Sequence, residues 1–234
     1  MEKKYKLTEE TLEIEGHVLN RIIALRDFGE VKKGDLGGFI EKESNLSHDW
    51  TCWIYNDAVV RGNAMVYGDA KVYGNAEVYG EATVCGNAMV YGNAEVYGEA
   101  TVCGNAEVYG NATVCGEAMV YGNATVCGEA MVCGNAEVYG NAEVYGNAAV
   151  YGYATVCGNA EVCGNATVEK KSDYIVFKNW WSSGRYFTWT RSNDMWSVGC
   201  FYGTGEELIK KAYKDSEEKG REYARIVKYV KSIK

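Results

Sequence analysis

The stretch GNAEVYGEATVCGNAMVYG, Gly74 to Gly92, states one six-residue phrase three times: Asn or Glu, Ala, a variable residue, Val, Tyr or Cys, Gly. Followed outward, the phrase runs from Asp57 to Lys170 as nineteen consecutive hexads without an insertion. Ala fills position two and Val position four in all nineteen, and Gly fills position six in eighteen, failing only at Lys170. An Ala-x-Val alternation has a period of two, which puts both residues on one face of an extended segment. Gly followed by Asn or Asp supplies the residue types that best tolerate positive φ, so each hexad reads as a short strand ending in a sharp corner. Strands this short are unstable alone and must stack on neighbouring coils.

The size of the inward residues fixes the cross-section. Ala and Val would leave a void at the centre of a four-sided coil, so close packing favours three hexads per turn. A turn is then eighteen residues, the array makes just over six turns, and at about 4.8 Å per turn the rod is roughly 30 Å long. Residues eighteen apart share a column. Position five gives Tyr67, Cys85, Cys103, Tyr121, Tyr139 and Cys157 on one wall. On the second it gives Arg61, Tyr79, Tyr97, Cys115, Cys133, Tyr151 and Glu169, and on the third Tyr73, Tyr91, Tyr109, Cys127, Tyr145 and Cys163. Tyr is too large for an Ala/Val interior, so these rings are expected outside, stacked as cross-strand neighbours. The stacked pairs Cys85/Cys103 and Cys115/Cys133 lie within reach of a disulfide, although Cys here reads first as a small apolar substitute for Tyr. At position one, Glu81, Glu99 and Glu117 form an acidic column that a cation could bridge. Tyr153 is the one large residue among the first positions, and a distorted corner is expected there.

These repeats resemble the hexapeptide-repeat, left-handed parallel β-helix family, and the left hand is an implication of that resemblance. The segment His17–Trp50, HVLNRIIALRDFGEVKKGDLGGFIEKESNLSHDW, is similar to the leader of uncharacterised β-helix proteins common in phages and prophages. The expected architecture is mainly β: an N-terminal β cap and degenerate first coil (1–56), a triangular β-helix (57–170) and a small α+β domain (171–234). In the cap, KYKLTEETLEIEGHVLNRIIAL suggests two or three strands with turns near Glu9–Glu10 and Glu15–Gly16. Leu46 and Cys52 are read at Ala-like positions, Ile54 and His48 at Val-like ones. Beyond Lys170 three strands are legible (174–177, 185–190 and 195–202), then helices from Glu206 to about Lys219 and from Arg221 to Ile233. Thr204 and Glu207 form a capping box.

Composition narrows the functional classes. The net charge of −8 divides into −3, −10 and +5 over the three segments, so the rod is acidic and is not expected to bind nucleic acid directly. The two His stand alone in sequence, His17 and His48, and no metal or cofactor site is expected. MEKKYKLTEE carries charges where a secretion signal needs an apolar core, and no apolar run approaches a membrane span. A cytoplasmic protein is the expectation (host cytoplasm, if phage-encoded), with reduced thiols.

No catalytic constellation is legible. The chemistry-bearing density lies in the C-terminal segment, where Trp180, Trp181, Arg185, Tyr186, Trp189 and Arg191 combine the residue types that dominate binding hot spots. The expectation is a non-enzymatic binding or scaffold protein that engages a protein partner through this domain, the acidic rod, or both. Inhibition of a host defence protein is one form this would take, and a homodimer or homotrimer is compatible with it. A CoA-dependent acyltransferase, which the family resemblance implies, and a structural phage component are the alternatives. His48 is the one candidate base in the coils, and a capping role is the simpler reading of it.

Overall fold

The computed structural model describes residues 2–233 and shows a parallel β-solenoid of about seven turns between two dissimilar caps. Each hexad contributes a two-residue strand such as Glu95–Val96, paired in parallel with Glu77–Val78 on one side and Thr113–Val114 on the other. The partners are eighteen residues apart, and the strands sort into three sheets, one for each wall. Ala at position two and Val at position four are buried in every hexad from Ala58 to Val168. The Tyr and Cys of position five lie outside that core, half-buried for the most part.

The corner is built differently from the sequence reading in one respect. Only the glycines take the left-handed conformation, with φ between +66° and +77° from Gly62 to Gly164, while the Asn that follows them does not. Asn contributes through its amide. Asn87, Asn105, Asn123 and Asn141 form a ladder in which each Nδ2 donates to the Oδ1 of the next coil at 3.0–3.1 Å. Such amide ladders reinforce stacked coils. The corner before Tyr153 also keeps its ordinary shape, with Gly152 at φ +67°. Tyr153 belongs to the last turn, so its side chain has no further coil to stack on and projects into solvent, 83% exposed.

Three strands precede the rod: β1 (Tyr5–Ile14), β2 (His17–Ala24) and β3 (Leu36–Ile40). β1 and β2 pair antiparallel around the Glu15–Gly16 turn, whereas Glu9–Glu10 form no turn and fall in a register shift within a single long strand. β2 pairs antiparallel with β3, and β3 pairs parallel with Val59–Val60, so the cap continues one wall of the rod. The first coil holds two extra residues. Leu46 bridges Val66, making it Val-like rather than Ala-like, and Cys52–Ile54 return to the eighteen-residue offset. His48 therefore sits in the insertion and not at an inward rung.

A parallel stack has a chemically polar axis. Paired strands bond in both directions, but the bonds outside the strands run from each coil to carbonyls of the following one, as in Tyr91 N to Val108 O at 2.9 Å. The first coil thus exposes mainly spare carbonyls and the last coil mainly spare N–H groups, which the caps must meet. The N-terminal cap supplies donors: the backbone of Phe39 and Glu41 binds Ala58 O and Val60 O, and the buried Asn45 Nδ2 binds Ala64 O at 2.8 Å. The C-terminal cap supplies oxygens. Thr188 Oγ1 accepts from Glu161 N, Ser192 Oγ from Thr167 N, and Asp173 Oδ2 from both Glu169 N and Lys170 N.

The C-terminal domain is a four-stranded antiparallel sheet followed by α1 (Gly205–Asp215) and α2 (Glu217–Ser232). The third expected strand is two, Met195–Val198 and Phe201–Thr204, folded back at Gly199–Cys200. Alternation along the sheet divides its labour. Thr188 and Ser197 bond to the rod at Glu161, while Phe187, Trp189, Trp196 and Val198 pack on Leu208, Ala212, Tyr223 and Val227 of the helices. Thr204 and Glu207 form the expected capping box of α1. The helices break at Ser216, earlier than expected, and Ser216 caps α2 by accepting from Lys219 N. Gly220 stays helical and buried, since a Cβ there would lie 2.2 Å from the Tyr213 ring.

Candidate partner-binding surface

The hairpin joining Tyr174–Lys178 to Tyr186–Thr190 carries a seven-residue connection, residues 179–185. Its backbone is fixed by Asn179, which is buried. The Asn179 Oδ1 accepts from Trp181 N and Ser182 N at 3.0 Å, and Asn179 N donates to Arg185 O at 2.9 Å. Asn is suited to such a turn because its side chain imitates a backbone carbonyl. With the loop tied inward by its main chain, the side chains of Trp180 and Trp181 point outward, 72% and 79% exposed. Lys178 Nζ lies between two rings, 4.4 Å from the Trp180 centroid and 4.3 Å from that of Tyr186. This holds a cation inside an aromatic surface. Arg185, the last residue of the connection, is exposed.

The structure separates the remaining residues of the sequence set. Trp189 is 1% exposed, and its Nε1 donates to Asp194 Oδ1 at 2.8 Å. It is a core residue of this domain because the strand alternation turns it toward the helices. Arg191 is exposed at the opposite end of that strand, where its N–H donates to Asp173 O at 2.7 Å beside the rod junction. A five-residue strand spans about 17 Å, so Arg191 does not belong to the tip surface. Trp180 and Tyr186 come together around Lys178, the member that sequence reasoning passed over, and Trp181 is exposed on the same connection, whereas the Arg185 side chain turns to the helix side of the sheet beside Val198, Phe201 and Leu208. The position of Lys178 one residue before an Asn-Trp-Trp turn was the available signal.

Glu81, Glu99 and Glu117 are exposed along one corner, and Asn135 Nδ2 donates to Glu117 Oε2 at 2.9 Å. Among the described residues no group of three or more His, Cys, Asp or Glu converges as a metal site would require. The position-five columns are stacked as expected, with the Tyr73, Tyr91 and Tyr109 centroids 4.8 and 4.7 Å apart and the rings nearly parallel. Tyr79, Tyr91 and Tyr121 also donate to the carboxylates of Glu95, Glu107 and Glu137 in the next coil. All nine Cys are free thiols.

His48 is bound into the N-terminal cap. Its Nδ1 accepts from Lys4 N at 3.3 Å, and the Tyr5 ring stacks on it at 4.3 Å. Burial holds its pKa below the usual value. His17 Nδ1 lies 3.0 Å from Glu41 Oε1. Among the described residues no helix is long and apolar enough to cross a membrane.

Slim walls, eighteen-residue turns and capped ends define a β-solenoid, and sequence comparison specifies the repeat. The family model described as "YdcK Beta solenoid repeat" matches residues 82–98. Among curated proteins, the "Uncharacterized acetyltransferase YdcK" of Escherichia coli (strain K12) is 36% identical over 72 residues, 27% of this chain and 22% of that protein. The chain therefore carries a YdcK-type repeat and is distantly similar to that protein, of whose length the match spans about a fifth.

Proposed function

We propose that this chain is a non-catalytic binding protein, in which a capped, rigid rod presents the Trp180–Trp181 tip of the C-terminal domain to a protein partner. The observation that carries this reading is the pairing of two solvent-facing Trp with a loop backbone already fixed by Asn179. Exposed apolar surface on an ordered loop lowers the entropy cost of association, and Trp with flanking cations is the composition of binding hot spots. The resemblance to phage-type leaders supports a host protein as that partner, with inhibition as the outcome, and the acidic rod as a secondary contact. A double variant, Trp180→Ala with Trp181→Ala, tests it. Proteins recovered from a host lysate by wild type are expected to be lost with the variant, while thermal stability stays within about 1 kcal/mol, as for surface substitutions. Recovery of the same proteins by both baits would refute the assignment of the surface.

A second reading is favoured by the name of the similar E. coli protein: transfer of an acetyl group from a CoA thioester. Fold and a partial match do not by themselves carry an activity. Titration with acetyl-CoA discriminates, since a bound ligand raises the unfolding temperature as its concentration rises. A saturable rise would favour the transferase over the scaffold.

A further inference from the structure

Lys4 and Cys52, forty-eight positions apart, are both 0% exposed and face each other across the junction of cap and first coil. Lys4 Nζ lies 3.1 Å from Cys52 Sγ, 2.8 Å from Cys52 O and 3.3 Å from Asp49 O, and 5.1 Å from the Phe28 ring centroid. A buried Lys is costly unless something holds its amine. Here the amine is held against the one thiol lying inside the core that the cap shares with the first coil. We propose that Lys4 and Cys52 form a reversible oxidative cross-link, a sulfenamide, that fastens the N-terminal cap to the rod when peroxide is present.

The chemistry balances with one equivalent of hydrogen peroxide. The Cys52 sulfur attacks the peroxide O–O bond, giving the sulfenic acid and one water, with sulfur oxidised by two electrons and peroxide reduced. The Lys4 Nζ lone pair then attacks sulfur. The S–O bond breaks, an S–N bond forms, and hydroxide leaves with a proton from the amine as a second water. The product has lost two hydrogens in total. An external thiol attacks sulfur and releases the amine, leaving a mixed disulfide, and a second thiol then frees Cys52 as the thiol, the two external thiols leaving as a disulfide.

Two features suit the pair to this role. Burial lowers the Lys4 pKa, which raises the share of neutral amine that can attack. Burial raises that of Cys52, so the thiol reacts slowly and responds to sustained oxidant, after the exposed Cys200. Access comes through the segment between Leu46 and Cys52 that holds the two extra residues, where Asp49 and Trp50 are exposed and which can open without unfolding the rod.

The test uses the full chain treated with hydrogen peroxide, digested without reductant and read by mass spectrometry. The expected product joins the Lys4 and Cys52 segments, is two hydrogens lighter than their sum, and separates on addition of dithiothreitol. In a Lys4→Gln variant Cys52 is expected to accumulate as sulfenic or sulfinic acid instead. Cys52 that stays a thiol after Cys200 is fully oxidised, or that reaches sulfinic acid in wild type with Lys4 free, would overturn the proposal. Both results are read on wild type alone, so they stand whether or not the variant folds.

Discussion

Glycine at position six shows how tightly a single residue is constrained. At Gly110 φ is +77°, and a Cβ would lie 3.0 Å from Gly128 N and O in the next coil. The left-handed conformation costs an L-residue about 1–2 kcal/mol, and the contact adds to that. Gly110→Ala is therefore expected to destabilise the rod by at least about 1–2 kcal/mol, read as a lower urea midpoint; an unchanged midpoint would contradict the corner geometry. The Tyr columns give a pH dependence. Tyr97 is pushed up to about 12 by its hydrogen bond to Cys115 and by burial, and Tyr121 to about 12 by burial and its bond to Glu137. An unfolded Tyr ionises near ~10, so the folded chain prefers the neutral phenol. That stability is complete below pH ~10 and is lost as pH rises toward ~12. The unfolding temperature should fall across that window together with the appearance of tyrosinate absorbance, and a flat profile would count against buried, bonded rings. The inward Ala and Val and the outward Tyr were legible because period and size suffice to place them. The Tyr–Glu bonds were not, because they join position five of one coil to position three of the next and follow no local spacing.

At the scale of elements, the two caps answer the uneven polarity of the stack, with donors prominent below and acceptors above. Thr188→Val tests the upper end. Thr188 is buried and its hydroxyl is the acceptor for Glu161 N, so the isosteric change leaves an N–H without a partner. A cost of about 1–3 kcal/mol is expected, with faster hydrogen exchange at the Glu161 amide. Retained protection would show that the cap is held by packing alone. The strands of the rod and the capping box of α1 could be read from sequence because their signals are local. Three features of the caps could not. The Gly199–Cys200 reversal interrupts a run whose alternation looks continuous. The helix break at Ser216 competes with Gly220, which is retained in the helix for its closeness to Tyr213. The insertion around His48 shows only through its pairing with the second coil, where Leu46 meets Val66.

At the scale of the molecule, an uninterrupted rod separates a buried Lys–Cys junction at one end from an exposed aromatic tip at the other. The sequence indicated the C-terminal domain as the region of interest, and the fold divided its aromatic residues into core and surface. That division depends on strand phase, which puts Trp189 inside and leaves Trp180 and Trp181 on the connecting loop. Both functional proposals assume a stiff, regularly wound spacer between the ends. The most direct test is a distance along one wall. In a variant keeping Cys85 and Cys157 alone, the other thiols replaced by serine, nitroxide labels sit four coils apart in the same column. Pulsed electron–electron resonance is expected to give a narrow distribution near about 19 Å, four rises of about 4.8 Å. A broad distribution, or a mean beyond about 30 Å, would contradict eighteen-residue winding, since the two labels would no longer share a wall.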